Sequence, residues 1–366
     1  FEAYKNVGDW QALFGVNLRC PHLSWYTMKG EAKRDYPASI FHQSSWYHDY
    51  RYVEDYFSRI HAALHGGKPV CSLLVLNPIE SVWARAYSGA FDGLSGVDEE
   101  ICRLEKQYAA VFHGLMDHQI DFDYGEEDIL ARHGHVENGI LYVGGAAYDK
   151  VLTAGMDTMR GSTLKLLQEF KNQGGCVVFA GDVPSHVDVI PSEEVRRLAE
   201  NCIWVPFENE AVLDAVRRGS EVKVTSQGRE SIFVQQYEVD GGRLIMLLNT
   251  DRENGYESVK LNLGKGENLE LWDARSGRVT KPDYGVEDGE ILLTIQLEKG
   301  GERLYMITDE KRQLERTETF EGKETVNLPD TFGYRLTEPN ICVLDMVTVT
   351  DDKGTEIPSM EVLKAD

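Results

Sequence analysis

The sequence predicts a chain of mixed class, in which an α/β part is followed by an antiparallel β part. Up to about residue 205, continuous apolar runs alternate with amphipathic helical segments, which is typical of a parallel sheet covered on both faces. After that residue, short strand-like runs follow one another between Gly-, Asn- and Asp-rich turns. We therefore expect the terminal βα unit of a (β/α) barrel, a doubly wound parallel α/β domain and an antiparallel β-sandwich, in that order.

Residues 1–68 are predicted to form the last βα unit of a barrel. The apolar run Gly15–Cys20 is strand-like, a long polar loop follows it, and Asp49–Leu64 has helical spacing. The core-facing stripe of this helix is predicted to consist of Tyr52, Tyr56, Ile60 and Leu64. Because no earlier βα units precede the strand, we expect the chain to be a piece of a larger protein.

The loop between this strand and this helix is dense in aromatic and charged side chains. Aromatic rings flanked by polar groups suit sugars, which present apolar C–H faces and a rim of hydroxyls. Long irregular loops in compact domains are usually functional, although an ordinary surface loop with packed aromatics is the alternative. The candidate substrate-binding residues are His22, Trp25, Tyr26, Glu31, Arg34, Asp35 and Trp46.

The side chains of this loop suggest separate roles. Trp25 and Trp46 could stack on a sugar ring, and the planar fork of Arg34 suits hydroxyls or a carboxylate. His22 follows the predicted strand, at the end where barrel side chains point into the site. A capping histidine bonded to the backbone is an equal alternative for His22.

Residues 69–205 are predicted to form the parallel α/β domain. The runs SLLVLN (72–77) and CVVFAG (176–181) are apolar on both faces, so we expect them to be central strands. Asp98–His118 and Ser162–Gln173 are the clearest helices. Residues 206–310 are assigned to the β-sandwich, with turn signals at Asp240-Gly241-Gly242 and Ser276-Gly277, and residues 311–366 to the start of a further β domain.

Composition excludes several classes of partner. The net charge of −23 argues against nucleic acid and anionic membrane, which both require basic surfaces, and no apolar run reaches the ~20 residues of a membrane span. The six cysteines are scattered without a CxxC pair. We interpret them as reduced and buried, which favours the cytoplasm; one or two disulfides in a secreted or periplasmic protein remain the alternative.

Motifs for cofactors and metals are missing from the sequence. There is no Walker loop and no GxSxG elbow, and Gly144-Gly145 lacks the rest of a dinucleotide fingerprint, so no cofactor is predicted. The run DFDYGEEDILAR (121–132) departs from a calcium loop at Gly125 and Arg132 and is better explained as an acidic helix cap. His61 and His65 form a helix-end pair rather than a metal site.

Glu80 follows the strand LVLNP, at the end of the strand where ligands bind in doubly wound folds. A catalytic role would require a second carboxylate about 5–9.5 Å away. An ion pair with Arg85 is the favoured interpretation of Glu80.

Three runs carry a resemblance to a known family. PHLSWYTMKGEAKRDYP, HQSSWYHDY and DYFSRIHAALHGGKPVCSLLVLNPIESVW resemble the final barrel unit of large carbohydrate-degrading enzymes, similar to the α-L-rhamnosidases of glycoside hydrolase family 106. DFDYGEEDIL, LYVGGAAYDKVLTAG and TLKLLQEFKNQGGCVVFAGD resemble the amidotransferase-like domain that follows such barrels. LTEPNICVLDMVTVT resembles the entry into a following β-sandwich.

The resemblance implies a glycoside hydrolase fragment that acts on a plant or microbial glycan. Hydrolysis would use paired carboxylates on earlier barrel strands outside this chain, so its catalytic residues are unassigned. A carbohydrate substrate is the implied partner, and homo-oligomerisation stays open. The alternative is a non-catalytic carbohydrate-binding or assembly module.

Overall fold

The computed structural model describes residues 2–20, 40–42, 44, 46–217, 222–226, 228–318, 326–337 and 346–365. The chain divides into two compact units. The first comprises Phe1–Asn17 and Tyr56–Thr317, and the second comprises Leu18–Asp55 and Glu318–Asp366. Helices, parallel sheets and antiparallel sheets are all present, so the mixed class predicted from the sequence is confirmed.

The helices are mostly short and alternate with the first fourteen strands. They are α1 (Glu2–Leu13), α2 (Arg51–Leu64), α3 (Ile79–Trp83), α4 (Glu99–Met116), α5 (Glu127–His133), α6 (Gly161–Asn172), α7 (Glu194–Ala199), α8 (Asn209–Val216) and α9 (Val362–Ala365). Among the described residues, no helix combines the length and apolarity needed to cross a bilayer.

The strands fall into an α/β region and a purely antiparallel region. The first strand in the chain, β1 (Lys68–Pro69), belongs to a sheet of the antiparallel region. The α/β region contains β2 (Leu73–Leu76), β3 (Phe91–Asp92), β4 (Ser95–Gly96), β5 (Asp123–Gly125), β6 (Gly134–Glu137), β7 (Ile140–Val143), β8 (Ala146–Tyr148), β9 (Lys150–Ala154), β10 (Thr158–Met159), β11 (Cys176–Ala180), β12 (His186–Val187), β13 (Ile190–Pro191) and β14 (Ile203–Val205). The antiparallel region also contains β15 (Lys223–Val224), β16 (Ile232–Val239), β17 (Gly242–Asn249), β18 (Tyr256–Lys265), β19 (Asn268–Trp272), β20 (Val279–Thr280), β21 (Gly285–Glu287), β22 (Glu290–Leu297), β23 (Glu302–Thr308), β24 (Met346–Thr350) and β25 (Glu356–Glu361).

Five strands form a parallel sheet in the order β5-β2-β9-β11-β14. Alternate residues of these strands point to opposite faces. Leu74 and Phe179 belong to a core that includes residues of α6 and α7. Leu73 and Val178 belong to a second core with residues of α4 and α8. Both faces are therefore covered, and the prediction that SLLVLN and CVVFAG form interior parallel strands is confirmed.

The helices of this sheet begin and end as their sequences predict. The Asp98 side chain caps α4 by accepting hydrogen bonds from Glu100 N at 3.0 Å and Ile101 N at 3.2 Å. Gly174, with φ +96°, ends α6 in a left-handed conformation that costs glycine little. Helix α8 follows the last strand of this sheet, and its Leu213 and Val216 pack on the parallel sheet.

The antiparallel region contains a six-stranded sheet, β1-β16-β17-β23-β19-β20, and a four-stranded sheet, β15-β18-β22-β21. Val234 and Leu247 of the first sheet share one buried core with Val259, Leu261 and other residues of the second. The turn predicted at Asp240-Gly241 does join two strands, since β16 and β17 pair antiparallel directly across it.

Helices α1 and α2 pack on the other face of the six-stranded sheet. Helix α1 contacts β17, and the Lys5 ammonium pairs with Glu302 of β23. Helix α2 places Tyr56 against α1, where its hydroxyl donates to Asp9 Oδ1 at 2.7 Å. This sheet is therefore buried on both faces.

The prediction of a strand at Gly15–Cys20 is wrong. These residues follow α1 without regular secondary structure, and Val16 and Leu18 are exposed. The first residues of this run terminate α1, because Gly15 has φ +87° and Val16 N donates to Gln11 O at 2.9 Å.

The helix predicted after the loop is present as α2. Its Tyr56, Ile60 and Leu64 are buried as expected, but Tyr52 is 47% exposed. The prediction of buried cysteines is also wrong in part, since Cys20 is exposed and the other described cysteines are half-buried. All of the described cysteines are free, and they are Cys20, Cys71, Cys102, Cys176 and Cys202; Cys342 lies outside the described residues.

Several smaller sheets are also present. β6, β7 and β8 form an antiparallel meander, β3 pairs with β4 in a hairpin, and β10, β12 and β13 form a three-stranded sheet. In the second unit, β24 and β25 form an antiparallel hairpin.

Candidate functional site

Most of the predicted sugar-binding loop lies outside the described residues, namely His22, Trp25, Tyr26, Glu31, Arg34 and Asp35. Its remaining member, Trp46, lies in the turn that precedes α2, where its carbonyl accepts from Tyr50 N at 3.0 Å. The Trp46 side chain is 53% exposed and the adjacent Tyr47 is 40% exposed. This turn therefore presents two aromatic side chains at the surface, as a stacking role would require.

The carboxyl edge of the parallel sheet is the second place where a ligand could bind. In chain order its strands are arranged 2-1-3-4-5, so the chain reverses direction across the sheet between β2 and β9. Ligands of doubly wound folds bind at such switch points. The segment after β2 carries Glu80 and Ser81 of α3 and then Arg85, and the segment after β9 carries Asp157 and Arg160.

Asp157 links the loops at this edge. Its Oδ2 accepts from Arg85 Nε at 2.9 Å and Nη2 at 2.7 Å, and its Oδ1 accepts from Arg103 Nη2 at 2.9 Å. The backbone N–H groups of Asp157 and Thr158 donate to Ser81 Oγ at 2.9 and 3.2 Å. The Asp157 carboxylate is thus held by two guanidinium groups.

A second ion cluster lies beside the first. The Arg160 guanidinium pairs with Glu80 and, at 3.3 Å, with Asp128 Oδ1. The prediction of an ion pair between Glu80 and Arg85 is therefore wrong. Glu80 pairs with Arg160, and Arg85 pairs with Asp157. These partners could not be read from the sequence, because they depend on how close the segments after β2 and β9 lie to each other in the fold.

Glu127 is the most unusual carboxyl group at this edge. It is 1% exposed, and its Oε2 accepts from Arg160 N at 2.7 Å. Burial raises the pKa of Glu127 to about 7, partly offset by Thr163 and Arg160. The sequence predicts this segment as a helix cap, and the neighbouring Glu126 does cap α5 by accepting from Ile129 N at 2.9 Å.

A carboxyl group that titrates near neutral pH can act as a general acid or base. Glycoside hydrolysis also requires a second free carboxylate about 5–9.5 Å away. The neighbouring Glu80 and Asp128 are both engaged by Arg160. This arrangement stabilises the edge of the sheet and does not form a ready pair of catalytic carboxylates.

The amino edge of the sheet contains another acid with a raised pKa, the half-buried Asp121. Burial and the charge of Asp123 raise the pKa of Asp121 to about 7. Asp121 Oδ2 accepts from Gln235 Nε2 of β16 at 2.9 Å, and Asp123 Oδ2 accepts from Tyr148 Oη at 2.8 Å. The first contact connects the α/β region to the six-stranded sheet, and the second connects β5 of the parallel sheet to β8 of the meander. In the described parts of the chain, no group of three His, Cys, Asp or Glu residues is arranged to hold a metal ion.

The fold of this chain has a counterpart among solved structures. The chain is similar to a rhamnosidase from Novosphingobium sp. PP1Y, with a TM-score of 0.62 and 17% sequence identity over 88% of this chain. The chain spans 31% of the length of that rhamnosidase. The resemblance stated from the sequence is thus confirmed at the level of the fold.

Other glycoside hydrolases match more weakly. A β-galactosidase from Bacillus circulans sp. alkalophilus has a TM-score of 0.46 at 10% identity, covering 73% of this chain and 46% of its own. An α-L-fucosidase from Paenibacillus thiaminolyticus has a TM-score of 0.44 at 11% identity, covering 72% and 51%. No protein-family model matches the sequence, and no curated protein matches it.

Proposed function

We propose that this chain is part of a glycoside hydrolase that acts on a plant or microbial glycan with rhamnosidase-like specificity. The observation that carries the proposal is the likeness to a rhamnosidase over 88% of this chain, but over only 31% of that enzyme. Because fold alone does not define activity, the proposal also uses the aromatic and charged residues between His22 and His48. The paired carboxylates would lie largely outside this chain.

The proposed layout follows the sequence assignments. Residues 1–68 would border the catalytic barrel, residues 69–205 form the amidotransferase-like α/β domain, residues 206–310 the β-sandwich, and residues 311–366 the start of a further β domain. The missing strand at Gly15–Cys20 leaves α2 and the loop before it as the support for the barrel assignment.

The first experiment compares the 366-residue chain with the product of its complete open reading frame on an aryl α-L-rhamnoside. We expect no turnover by the 366-residue chain, because the proposed acid and nucleophile are absent, and measurable turnover by a longer product. Turnover by the 366-residue chain that disappears in Glu31→Gln or Glu80→Gln would place the chemistry in this chain and refute the proposal.

The second experiment tests the predicted sugar loop in the catalytically active protein. Removal of a charged hydrogen-bond partner in a closed site costs about 1–3 kcal/mol, which is roughly tenfold or more in affinity. Arg34→Ala should therefore raise the KM with little change in melting temperature. A lowered melting temperature with unchanged kinetics would identify the loop as structural.

The alternative is a non-catalytic carbohydrate-binding or assembly module. One observation favours it, since the acids Glu80, Asp128 and Asp157 at the carboxyl edge are each neutralised by an arginine. Absence of turnover by every longer product, together with retained glycan binding, would support this alternative.

A further inference from the structure

A pocket of about 340 Å³ lies between α2 and the edge of the six-stranded antiparallel sheet. It shares no residue with the predicted sugar loop or with the ion clusters of the parallel sheet. Pockets that bind small ligands have volumes of about 300–1,000 Å³, so this one has room for a single small ring.

The walls of the pocket are apolar because of the strand register. Trp272 pairs directly with Leu304 of β23 on one side and with Val279 of β20 on the other. Directly opposed residues of antiparallel strands point to the same face, so these three side chains form one surface. Ala62 and Ala63 of α2 line the pocket opposite them.

The indole ring of Trp272 is fixed in place. Its Nε1 donates to Glu270 Oε2 at 2.9 Å, and the Glu270 side chain is almost fully buried. The ring therefore offers a positioned aromatic wall rather than a freely rotating surface group. Such a wall is suited to contact with the C–H face of a sugar.

A tight turn from Asp273 to Arg278 forms the polar rim. Gly277 N closes it by donating to Asp273 O at 2.7 Å, and the Asp273 carboxylate accepts from Arg275 N at 2.9 Å. Gly277 has φ +74°, and a Cβ there would lie 3.0 Å from Arg59 Nε. Glycine thus allows the Arg59 guanidinium to lie against the turn.

Two guanidinium groups supply donors at this rim. Arg59 Nη1 donates to Ala274 O and Arg275 O, each at 2.9 Å, and within the described ranges its Nη2 makes no hydrogen bond. Arg278 Nη2 binds Glu315 at 2.7 Å, which leaves Nη1 for a ligand. The Asp273 carboxylate retains acceptor sites, since a carboxylate has about four.

We propose that this pocket binds one neutral sugar unit of the 6-deoxyhexose class. The ring would stack on Trp272, its hydroxyls would bond to Asp273 and the arginines, and its methyl group would contact the Ala, Val and Leu side chains. A hydroxymethyl group in that position would lose its hydrogen bonds to water without a replacement. The choice of a sugar rests on the proposed function, but the binding does not depend on catalysis.

The ligand experiment titrates the 366-residue chain by calorimetry and saturation-transfer NMR. L-rhamnose and L-fucose are compared with L-mannose and L-galactose, which differ only in carrying the hydroxymethyl group, and with D-glucuronate. We expect the 6-deoxy sugars to saturate with Kd in the millimolar range, about tenfold tighter than their counterparts. Failure of both 6-deoxy sugars to saturate in the tens of millimolar, or preference for D-glucuronate, would overturn the proposal.

The variant experiment uses Trp272→Leu and Asp273→Asn, with Trp204→Leu as the matched control. Trp204 is exposed and bonds to Gly181 O outside the pocket. Each pocket variant should bind the 6-deoxy sugar at least tenfold more weakly, with an unchanged circular dichroism spectrum, while the control binds normally. In Asp273→Asn the side-chain oxygen that accepts from Arg275 N is retained. This variant therefore still tests the pocket if Trp272→Leu does not fold.

Arg34→Ala distinguishes this pocket from the predicted sugar loop. We expect Arg34→Ala to lose any binding at the loop and to keep the binding that Trp272→Leu and Asp273→Asn weaken. Loss of binding in Arg34→Ala with normal binding by both pocket variants would assign the sugar to the loop and refute the pocket. Absence of hydrolysis by every longer product, with the pocket binding intact, would refute the proposed activity and leave this inference standing.

Discussion

Replacement of Lys5 by methionine would remove the cation of a buried ionic network. Lys5 Nζ lies 2.6 Å from Asp9 Oδ2 and also pairs with Glu302. Lys5, Asp9 and Tyr56 are completely buried, and Glu302 is 8% exposed. The variant would therefore leave two carboxyl groups facing each other without a compensating charge.

The expected loss of stability is large and depends on pH. Breaking a buried ion pair by removing one partner costs about 3–5 kcal/mol. Burial raises the pKa of Asp9 from its ordinary 3.8 to about 6, although Lys5 acts in the opposite direction. The folded state thus binds this proton more tightly than the unfolded state, and up to about 3 kcal/mol of stability is lost as the pH rises from about 4 to about 6.

The same proton explains how Lys5→Met should behave. At pH 5 the Asp9 carboxyl group can take up a proton in the variant, whereas at pH 8 it must either ionise in the core without a cation or retain its proton at a cost in free energy. The free energy of unfolding should therefore fall more at pH 8 than at pH 5. Urea denaturation measures this loss, and hydrogen exchange of α1 shows whether the helix detaches.

Two further variants make the experiment decisive. Lys165→Met removes an exposed lysine of α6 and should change stability by less than about 0.5 kcal/mol. Glu302→Gln added to Lys5→Met should recover part of the loss. An equal loss at both pH values, or a loss below about 1 kcal/mol, would show that the network is not held by charge.

Three other predictions concern separate parts of the fold. Burial raises the pKa of Glu127 from 4.5 to about 7, so the folded state loses stability as the pH rises through that window. Glu127→Gln should therefore raise the melting temperature at pH 8 but not at pH 4. A melting temperature at pH 8 below that of the unchanged protein would contradict this. Gly242→Ala would place a Cβ 2.0 Å from Ile307 O. In Gly241→Ala the Cβ would meet open space, so only the left-handed backbone should cost stability, by about 1–2 kcal/mol. Calorimetry should therefore show a larger loss of unfolding free energy for Gly242→Ala than for Gly241→Ala. Asp98→Ala removes the cap of α4 and should cost about 1 kcal/mol in denaturant unfolding, and no change would refute the capping role.

Regular elements could be predicted where local sequence and packing agree. Helix α4 begins after its capping Asp98 and buries Ile101, Leu104, Val111 and Leu115, as its apolar spacing indicates, whereas Tyr108 is exposed. The strands SLLVLN and CVVFAG were recognised because strands covered on both faces require continuous apolar runs. Each of these signals lies within about twenty residues of sequence.

Helix α1 was not predicted because its buried face mixes charged Lys5 and Asp9 with Gly8, Ala12 and Leu13. Lys5 and Asp9 are four residues apart and read as an exposed ion pair, but their partners are Tyr56 and Glu302, far away in sequence. Gly8 weakens the helical signal further, yet a Cβ there would lie 2.2 Å from Phe57. The exchange of ion-pair partners between Glu80 and Arg85 has the same cause, because it is decided by contacts between distant loops.

The burial of the six-stranded sheet on both faces limits how this chain can be divided. Leu244, Met246 and Leu248 alternate with the residues that face the other sheet, and they are fully buried. Residues 206–310 read as an autonomous sandwich, but expression from residue 206 would remove α1, α2 and β1 together. The excised piece would carry an apolar outer surface and an unpaired β16 edge, both of which promote aggregation. The smallest piece suited to separate expression therefore includes the first helices as well as the last strands of the sheet.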